Sequence, residues 1–499
     1  FELMAVTFTN KAAKEMLLRI TSMLPINARG MWVGTFHGLC NRLLRTHYRE
    51  AGLPQTFQIL DSADQLSLVK RVMKSLSIDE VRYPFRQAQY FINSNKEEGL
   101  RANKVESIDE FGRTLTEVYR EYDRACANEG VVDFSELLLR SYELLLQNER
   151  LLKHYQNRFK HILVDEFQDT NKLQYAWLKL LADQGACVMA VGDDDQSIYA
   201  FRGANTGNML SFEADFAIEK VVKLEQNYRS LGNILDGANA LIKNNDGRLG
   251  KNLWTDQGEG EPIRVFRATT DGEEASFIIE EIQALKNSGI QLKSIALLYR
   301  SNAQSRILEH GLFSSGLPYK VYGGLRFFER QEVKHALAYL RLIANSDDDG
   351  ALLRIINFPT RGIGNRTIEN IRDLAERTGI SLWQAACSAP LSGRAVNAVT
   401  SFVTLIEKLK NETSGFSLPD LIEHSIENSG LVEHYQKDRD GQDRLENLNE
   451  LINAASAFID ERASAPNLEA QVEVSADEDF SLIEIDPLID FLAHASLEA

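Results

Sequence analysis

Two short apolar runs, each followed directly by polar residues, constrain the fold of this chain more than any other feature. Ile162–Val164 is followed by two carboxylates, and Cys187–Val191 by the run GDDDQ. The stretch between them, Asn171–Ala182, has apolar residues three and four apart, which predicts an amphipathic helix. A strand, a helix and a strand of these lengths form a βαβ unit with parallel strands. Both polar groups are therefore expected at the carboxyl ends of the strands, where open α/β sheets bind ligands.

The same alternation recurs elsewhere and divides the chain into regions. Further strands are predicted at residues 3–8, 31–34, 263–266, 295–299 and 319–321. A helix is predicted at about residues 11–24, and almost wholly helical patterns cover residues from about 38 to 160 and from about 323 onward. Because strand-rich segments flank the first helical block, we interpret this block as an insertion into one α/β domain.

Bulk composition narrows the class of protein only partly. The chain has 499 residues and a formal net charge of −17, and a single core rarely grows past about 250–300 residues, so several domains are expected. The acidic balance argues weakly against a nucleic-acid partner, although a groove can be basic within an acidic chain. The cysteines form no CxxC pair, which predicts reduced thiols and a cytoplasmic location, and no apolar run is long enough to cross a membrane.

The two carboxylates after the first run, Asp165 and Glu166, have the chemistry that phosphoryl transfer from a nucleotide needs. One carboxylate holds Mg²⁺, which prefers hard oxygen ligands, and a second group orients or deprotonates the attacking water. Asp165 suits the first role and Glu166 the second. The alternative is a purely structural strand end, because Asp169 and Thr170 are good helix N-cap residues.

The second polar group adds an amide, aromatic rings and a cation. From the neighbouring strand, Gln196 is expected to reach the γ-phosphate or the attacking water. Tyr199, Phe201 and Arg202 combine rings with a cation, which suits stacking on bases and gripping phosphate. The alternative is a turn followed by core aromatic residues, and the occurrence of polar clusters after two neighbouring strands argues against it.

Other segments contain candidate binding residues. In LEQNYRS, Tyr228 is a candidate for stacking on a nucleobase and Arg229 for neutralising charge on the γ-phosphoryl group, with a plain surface pair as the alternative. At the strand ends in AVTFTNKAA and WVGTFHG, rings are available to stack on unpaired bases, and hydroxyl or amide groups to bind phosphates. These residues are Phe8, Thr9, Asn10, Thr35, Phe36 and His37, and a structural histidine is the alternative for His37.

One element of ATP chemistry is missing from the chain. The phosphate loop GxxxxGK[ST] does not occur, and the nearest approach, GRLGKN at Gly247–Asn252, has the wrong spacing and Asn in place of Ser or Thr. The chain also begins almost directly on a predicted core strand and stops on a helical segment. We therefore expect a fragment whose two ends fall inside larger domains.

Motifs in a fixed order along nearly the whole chain resemble those of the superfamily 1A DNA helicases of the UvrD/PcrA/Rep group. They are AVTFTNKAA, WVGTFHG, FQILDS, ILVDEFQDTN, VGDDDQSIY, LEQNYRS, DGRLGK, LYRSNAQSR, YGGLRFFERQE and PTRGIG. This combination is far more specific than any single motif. One departure is Phe201, where the family often has Trp, and weaker base contact is expected there.

This resemblance implies an α/β fold of two RecA-like parallel-sheet motor domains, each with a large all-helical insertion, as in P-loop NTPase helicases. Residues 1–34 and 160–225 would form the first motor domain, with residues 35–159 as its insertion. Residues 226–322 would open the second motor domain, and residues 323–499 would be its duplex-contacting insertion. The phosphate loop would precede this chain, and the family's later motifs would follow it.

The resemblance also implies a role for each nucleotide-site candidate. Asp165 would hold Mg²⁺, Glu166 would act as the base, and Gln196 would sense the γ-phosphate of ATP. Tyr228 would stack on adenine, and Arg229 would contact the γ-phosphate. ATP and Mg²⁺ are thus the expected cofactors.

The remaining candidates would bind DNA. Thr360, Gly362 and Gly364, within PTRGIG, would hold duplex phosphate through backbone amides, unless this segment is a plain connection between helices. The track for single-stranded DNA would be lined by Phe8, Thr9, Asn10, Thr35, Phe36, His37, Tyr199, Phe201 and Arg202.

The implied activity is ATP-driven translocation along single-stranded DNA, usually 3′ to 5′, with duplex unwinding in DNA repair or replication. Single-stranded DNA, its junctions with duplex and DNA repair proteins would be partners, and the fragment alone is expected not to hydrolyse ATP. One alternative is a DNA-binding or partner-binding module without ATPase activity. Another is the motor part of a helicase–nuclease.

Overall fold

The computed structural model describes residues 2–24, 30–183, 185–199, 203–205, 207–218, 220–321, 327–391, 393–438, 441–463 and 486–498. The chain divides into two compact units. The first comprises residues 1–220 and 327–499, and the second comprises residues 221–326.

A four-stranded parallel sheet organises the first unit. The strands of the chain are β1 (Leu3–Thr7), β2 (Trp32–Thr35), β3 (Gln58–Ile59), β4 (Val131–Val132), β5 (His161–Val164) and β6 (Cys187–Ala190). The large sheet has the order β2-β1-β5-β6, and β3 pairs with β4 in a separate two-stranded parallel sheet. The strands predicted at both ends of the βαβ unit and at the start of the chain are thus confirmed, with shifts of about one residue at their ends.

Among the described residues before residue 220, the first unit has nine α-helices. They are α1 (Asn10–Met23), α2 (Phe36–Thr46), α3 (Ser62–Ser75), α4 (Phe85–Glu97), α5 (Glu110–Glu129), α6 (Phe134–Gln147), α7 (Glu149–Arg158), α8 (Lys172–Ala182) and α9 (Gly207–Asp215). The crossover helix α8 begins with a capping box, because the Asn171 side chain accepts from the Gln174 N–H and Gln174 accepts from the Asn171 N–H. Trp177 and its apolar neighbours on α8 join the buried core beside the sheet.

The helical block between β2 and β5 has a second core of its own, built around buried tyrosines of α5. It also encloses a charge: the Lys96 ammonium is 1% exposed and lies 2.8 Å from a carboxylate oxygen of Asp133 and 3.0 Å from one of Glu136. These carboxylates offset the cost of burying the cation. The predicted helical block is confirmed as helical.

The helices after residue 327 form the largest apolar core among the residues that the structure describes. They are α13 (Gln331–Ala344), α14 (Asp349–Ile355), α15 (Asn365–Thr378), α16 (Leu382–Ser388), α17 (Arg394–Glu412), α18 (Leu418–Asn428), α19 (Leu431–Tyr435), α20 (Gly441–Ala463) and α21 (Pro487–Glu498). The last of them joins two cores, because Phe491 packs with these helices while Ala493 packs with the sheet core. In addition, the Asn10 amide donates to the Leu497 carbonyl oxygen.

The second unit differs from its predicted structure. Its helices are α10 (Gly232–Ile242), α11 (Asp271–Asn287) and α12 (Asn302–Ser314). The strands predicted at 263–266, 295–299 and 319–321 are wrong: within residues 221–321 the only β-type pairing is an isolated bridge between Gln226 and Trp254. One side of a run can still be covered, since Ile295 and Leu297 pack against buried residues of α11 and α12, but Leu298 on the other side is 96% exposed. Within residues 221–321 these runs have no hydrogen-bonded strand beside them, and a strand needs such a neighbour to form.

The length and apolar character of a helix decide whether it could span a membrane. Within the ranges that the structure describes, no helix combines the length and the apolar character needed to span a bilayer.

Candidate functional site

The carboxyl edge of the large sheet carries the first pair of candidate residues. Strand β5 ends at Val164, and the backbone then turns sharply at Glu166, whose φ of 50° and ψ of 44° lie in the left-handed region. Few non-glycine residues adopt this conformation, and it occurs often at functional sites. Backbone hydrogen bonds fix the turn on both sides, from the Asp165 N–H to the Val6 carbonyl oxygen at 2.8 Å and from the Phe167 N–H to that of Val191 at 3.0 Å.

The two carboxylates occupy different environments. Asp165 is half-buried, and its Oδ2 accepts a hydrogen bond from the Thr7 hydroxyl at 3.3 Å. Glu166 is exposed, and its Oε2 accepts from the Gln168 side-chain amide at 2.7 Å. The Glu166 Oε1 accepts no hydrogen bond from the described residues, so it is available to a water molecule or ligand.

The loop after β6 is bonded to the same turn. The Gln168 Oε1 accepts from the Asp193 N–H at 2.9 Å, and Asp193 Oδ2 in turn accepts from the Gln196 side-chain amide at 2.7 Å. Glu166 and Gln196 are therefore connected by a continuous path of hydrogen bonds through Gln168 and Asp193. Sequence reasoning placed Glu166 and Gln196 at one sheet edge but missed Gln168, whose only sequence signal is its position two residues after the candidate base.

Negative charge accumulates at this edge. Burial, together with the nearby charge of Glu166, raises the pKa of Asp169 to about 6. Asp169 Oδ1 is buried and has no hydrogen-bond partner among the described residues. Hard carboxylate oxygens with uncompensated charge are the donors that Mg²⁺ prefers, so the residues at this edge fit a divalent cation.

Aromatic rings meet at the same end of the sheet. Phe8, directly after β1, packs against Tyr199 with ring centroids 5.1 Å apart and planes tilted by 34°. Both rings are half-buried, so each keeps part of its surface open to solvent. The candidates Phe201 and Arg202 lie outside the described residues.

The polar candidates near β1 and β2 act locally as helix caps. The Thr9 hydroxyl accepts from the Ala12 N–H at 3.2 Å, and the Thr35 hydroxyl accepts from the Gly38 N–H at 3.1 Å. A hydroxyl that accepts one hydrogen bond still has a proton to donate, so capping and phosphate contact are compatible. Asn10 differs, because its side-chain amide donates to the Leu497 carbonyl oxygen at 3.2 Å.

The aromatic candidates after β2 are more enclosed than expected. Phe36 is 3% exposed and packs against Trp177, so its ring has no face open to a base in this structure. His37 is half-buried and packs edge-on against Phe134. Burial lowers the pKa of His37 to about 4, so the imidazole is neutral at physiological pH.

Tyr228 and Arg229 lie in the second unit. Tyr228 is 72% exposed, and its hydroxyl donates to Gln226 Oε1 at 3.2 Å. The Arg229 backbone N–H donates to Asn227 Oδ1 at 2.9 Å, and the exposed guanidinium makes no ion pair with the described residues. The backbone is thus held by Asn227 while both side chains remain accessible.

The PTRGIG segment forms a tight turn between α14 and α15. Asn357 Oδ1 accepts from the N–H groups of Arg361 at 2.9 Å and of Ile363 at 3.1 Å. The Arg361 guanidinium turns inward and donates to the Ser429, Ile355 and Pro359 carbonyl oxygens. The turn is therefore fixed from within the protein.

Alternate amides of this turn remain available to a ligand. The N–H groups of Thr360, Gly362 and Gly364 donate no hydrogen bond to any of the described residues, and all three residues are exposed. Gly362 has a φ of 79°, which favours glycine, and a side chain added there would meet open space. Exposed amides of this kind are common contacts to phosphate oxygens.

Comparison with known proteins matches the chain from end to end. Residues 1–217 match the family model of the UvrD/REP helicase N-terminal domain, and residues 222–499 match that of the UvrD-like helicase C-terminal domain. The boundary between the matches lies close to the division between the two compact units.

Individual relatives agree with these matches. The chain is 49% identical to DNA helicase II of Escherichia coli over 506 residues, which covers 100% of this chain and 68% of that protein. It is 38% identical to the ATP-dependent DNA helicase PcrA of Bacillus subtilis over 466 residues, which covers 92% of this chain and 63% of that protein. The chain therefore belongs to the UvrD/REP family of ATP-dependent DNA helicases.

Proposed function

We propose that the protein containing this chain translocates on single-stranded DNA, with 3′ to 5′ polarity, and unwinds duplex DNA ahead of it at the expense of ATP. The proposal includes a role in DNA repair or replication and a cytoplasmic location. It also retains two motor domains with helical insertions, with the boundaries given above; the four-stranded parallel sheet supports a RecA-like fold for the first of them, whereas the strands predicted for the second are not proposed again.

The observation that carries the proposal is the hydrogen-bonded path at the sheet edge. It joins Glu166 to Gln196 through groups 2.7–2.9 Å apart, which supports a single site that contains both side chains. Hydrolysis of a nucleoside triphosphate needs a group that orients the attacking water and a group that senses the γ-phosphate, close to one another.

Each residue at this edge has a defined task in the proposed hydrolysis. Asp165 would hold Mg²⁺, which when bound neutralises charge on the phosphate oxygens. Glu166 would orient the water and accept its proton on Oε1, because Oε2 is already engaged by Gln168. Gln196 would hydrogen-bond to the γ-phosphate. In the second unit, Tyr228 would stack on adenine and Arg229 would neutralise charge on the γ-phosphoryl group.

The DNA contacts divide between two surfaces. Phe8 and Tyr199 would stack on unpaired bases, and Thr9, Asn10, Thr35 and His37 would contact the strand beside them, together with Phe201 and Arg202. The free amides of Thr360, Gly362 and Gly364 would bind duplex phosphates. Phe36 would support this track by packing beneath it, because its ring is buried.

DNA-stimulated ATPase activity tests the proposal, measured on this chain and on a version that includes the GxxxxGK[ST] segment and the later motifs. We expect only the longer protein to hydrolyse ATP, with stimulation by single-stranded DNA. If neither protein hydrolyses ATP but both bind DNA, the helicase proposal fails and a DNA-binding module without ATPase activity takes its place.

A further inference from the structure

The side chain of Gln168 is placed between two loops that both carry proposed ATPase residues. It is 1% exposed, although glutamine is usually a surface residue. Its amide nitrogen donates to Glu166 Oε2 at 2.7 Å, and its amide oxygen accepts from the Asp193 N–H at 2.9 Å. A buried amide with both ends hydrogen-bonded has one conformation available to it.

The chemistry of the two partners fixes the orientation of this amide. Rotating it by 180° would set its oxygen against the Glu166 carboxylate and its NH₂ group against the Asp193 N–H. Both contacts would then be repulsive, so only the observed orientation satisfies the two partners. The amide is therefore bonded to both loops at once, in one orientation.

The loop after β6 approaches the amide closely at Gly192. A Cβ atom added to Gly192 would lie 2.9 Å from Gln168 Oε1 and 3.3 Å from the Phe167 Cβ atom. Glycine at this position thus lets the loop after β6 approach the amide closely. Beyond Gly192, Asp193 carries the contact onward, because its Oδ2 accepts from the Gln196 side chain at 2.7 Å.

We propose that Gln168 is a positioning residue for ATP hydrolysis, which holds the Glu166 carboxylate and the loop that carries Gln196 in a fixed relation. It touches neither nucleotide nor water in this role. A shift of either loop is transmitted through the amide to the other, so the water-orienting group and the γ-phosphate sensor move together. This inference rests on the proposed function, since it assumes that Glu166 and Gln196 serve one hydrolysis reaction.

The first test replaces Gln168 by methionine, which has a similar length but cannot form these hydrogen bonds. In the full-length protein with oligo(dT) and Mg·ATP, we expect kcat to fall about 10- to 100-fold, as a small misplacement of reacting groups does, while KM for ATP changes less than about threefold. The matched control is Gln156→Met on α7, another buried glutamine, whose amide donates to the Leu180 carbonyl oxygen. Gln156 precedes the amino end of β5, whereas both loops follow the carboxyl ends of β5 and β6. The kcat of this control variant should stay within about twofold of wild type.

A double-mutant cycle separates positioning from general damage. If Gln168 acts through the placement of Gln196, the variant with both Gln168→Met and Gln196→Ala should be no slower than the slower single variant. If the losses multiply, Gln168 acts independently of Gln196 and the proposal is overturned.

Gly192→Ala is a second test of the positioning role, and it leaves the glutamine at position 168 unchanged. The added methyl group would displace the amide oxygen, so kcat should fall as in Gln168→Met, with thermal unfolding close to that of wild type. It decides the matter if Gln168→Met does not fold. A wild-type protein that hydrolyses ATP while both variants keep kcat within about twofold refutes the positioning role alone, whereas an inactive wild type refutes the proposed function as well.

Discussion

Two regions of the molecule offer binding groups to a ligand in opposite ways. One is the pair of sheet-edge loops, residues 165–168 and 192–196, and the other is the PTRGIG turn together with the two residues before it, residues 357–364. In each of them an amide side chain bonds to backbone N–H groups of the loop, that of Gln168 in the first case and of Asn357 in the second. At the sheet edge, backbone groups form hydrogen bonds within the fold, and the groups offered to a ligand are side chains, with an excess of carboxylates. In the turn, the one charged side chain, Arg361, points inward and the backbone amides are presented.

This difference corresponds to two kinds of ligand. A metal–nucleotide site needs particular side chains at particular positions, because proton transfer and metal binding depend on ionisable groups. Contact with the phosphates of any duplex sequence needs only N–H donors, which every residue supplies. Variants that break one loop should therefore leave the function of the other intact, and the predictions below run from the largest expected effect to the smallest.

Glu166→Gln should have the largest effect, because it removes the proposed base and keeps its shape. We expect DNA-stimulated ATP hydrolysis by the full-length protein to fall about a thousandfold, while ATP and duplex DNA still bind. Steady-state ATPase assays and nucleotide-binding titrations measure the two properties, with the exposed Glu149→Gln on α7 as the control. Normal turnover in Glu166→Gln would remove the base role from this residue.

Arg229→Ala should slow hydrolysis about a hundredfold, because a cation aimed at charge on the γ-phosphoryl group is lost. Binding of single-stranded DNA should weaken much less. Arg267→Ala, which removes another exposed arginine of the same unit, is the matched control for the change in charge. If hydrolysis and DNA binding decline equally in Arg229→Ala, the arginine belongs to the DNA track instead.

Asn357→Ala should affect the turn and spare the sheet edge. Without the Asn357 carbonyl, the amides of Arg361 and Ile363 lose their acceptor, so the turn is free to change shape and duplex affinity should fall about tenfold. The ATPase activity of this variant on oligo(dT) should stay within about twofold of wild type. In the control Asn428→Ala on α18, ATPase activity and duplex affinity should both stay within about twofold of wild type. Equal loss of ATPase activity and duplex binding would show that the two loops are not independent.

The smallest effect is a dependence of stability on pH that distinguishes the two regions. Glu97 lies next to Gly203, which follows the sheet-edge loops in the chain, and burial raises the pKa of its carboxyl group to about 7. His335 stacks on Phe358 of the turn, and burial lowers the pKa of its imidazole to about 4. A raised carboxyl pKa means that the folded state favours the protonated form. The destabilisation from Glu97 is therefore complete above pH 7 and disappears as the pH falls toward 4.5.

Glu97→Gln removes this titration and should stabilise the protein by about 1–2 kcal/mol at pH 8, with almost no difference from wild type at pH 4.5. Chemical denaturation at both pH values measures the change. Glu98→Gln is the control, because Glu98 is exposed and pairs with Lys172 at the surface, where such pairs contribute little. A gain in stability from Glu97→Gln that is the same at both pH values would contradict the pKa assignment.

Sequence patterns predicted those parts of the fold that depend on local periodicity. The unit β5–α8–β6 was predictable because its apolar spacing changes from that of a strand to that of a helix and back, although the helix is capped by Asn171 and not by Asp169 or Thr170. The rule for carboxyl ends of parallel strands then predicted that Glu166 and Gln196 would share one edge. The strands of the second unit were not predictable in this way, because an apolar run such as 295–299 becomes a strand only where another strand pairs with it.

Side-chain roles were harder to predict than elements. Phe36 follows a strand end as a base-stacking residue would, but its ring is buried against Trp177 of α8. Gln168 was missed because its partners depend on the register between β5 and β6, which no local pattern of the chain reveals. Residues whose roles arise from tertiary contacts need the structure.

The contact between α1 and α21 has a consequence for folding during translation. Asn10 donates to the carbonyl oxygen of Leu497, 487 positions later in the chain. At about 5–20 residues per second, translation delivers that partner roughly 25–100 s after Asn10 has been made. During this interval α1 has emerged without this partner, so the Asn10 amide is left to hydrogen-bond with water until α21 has been made.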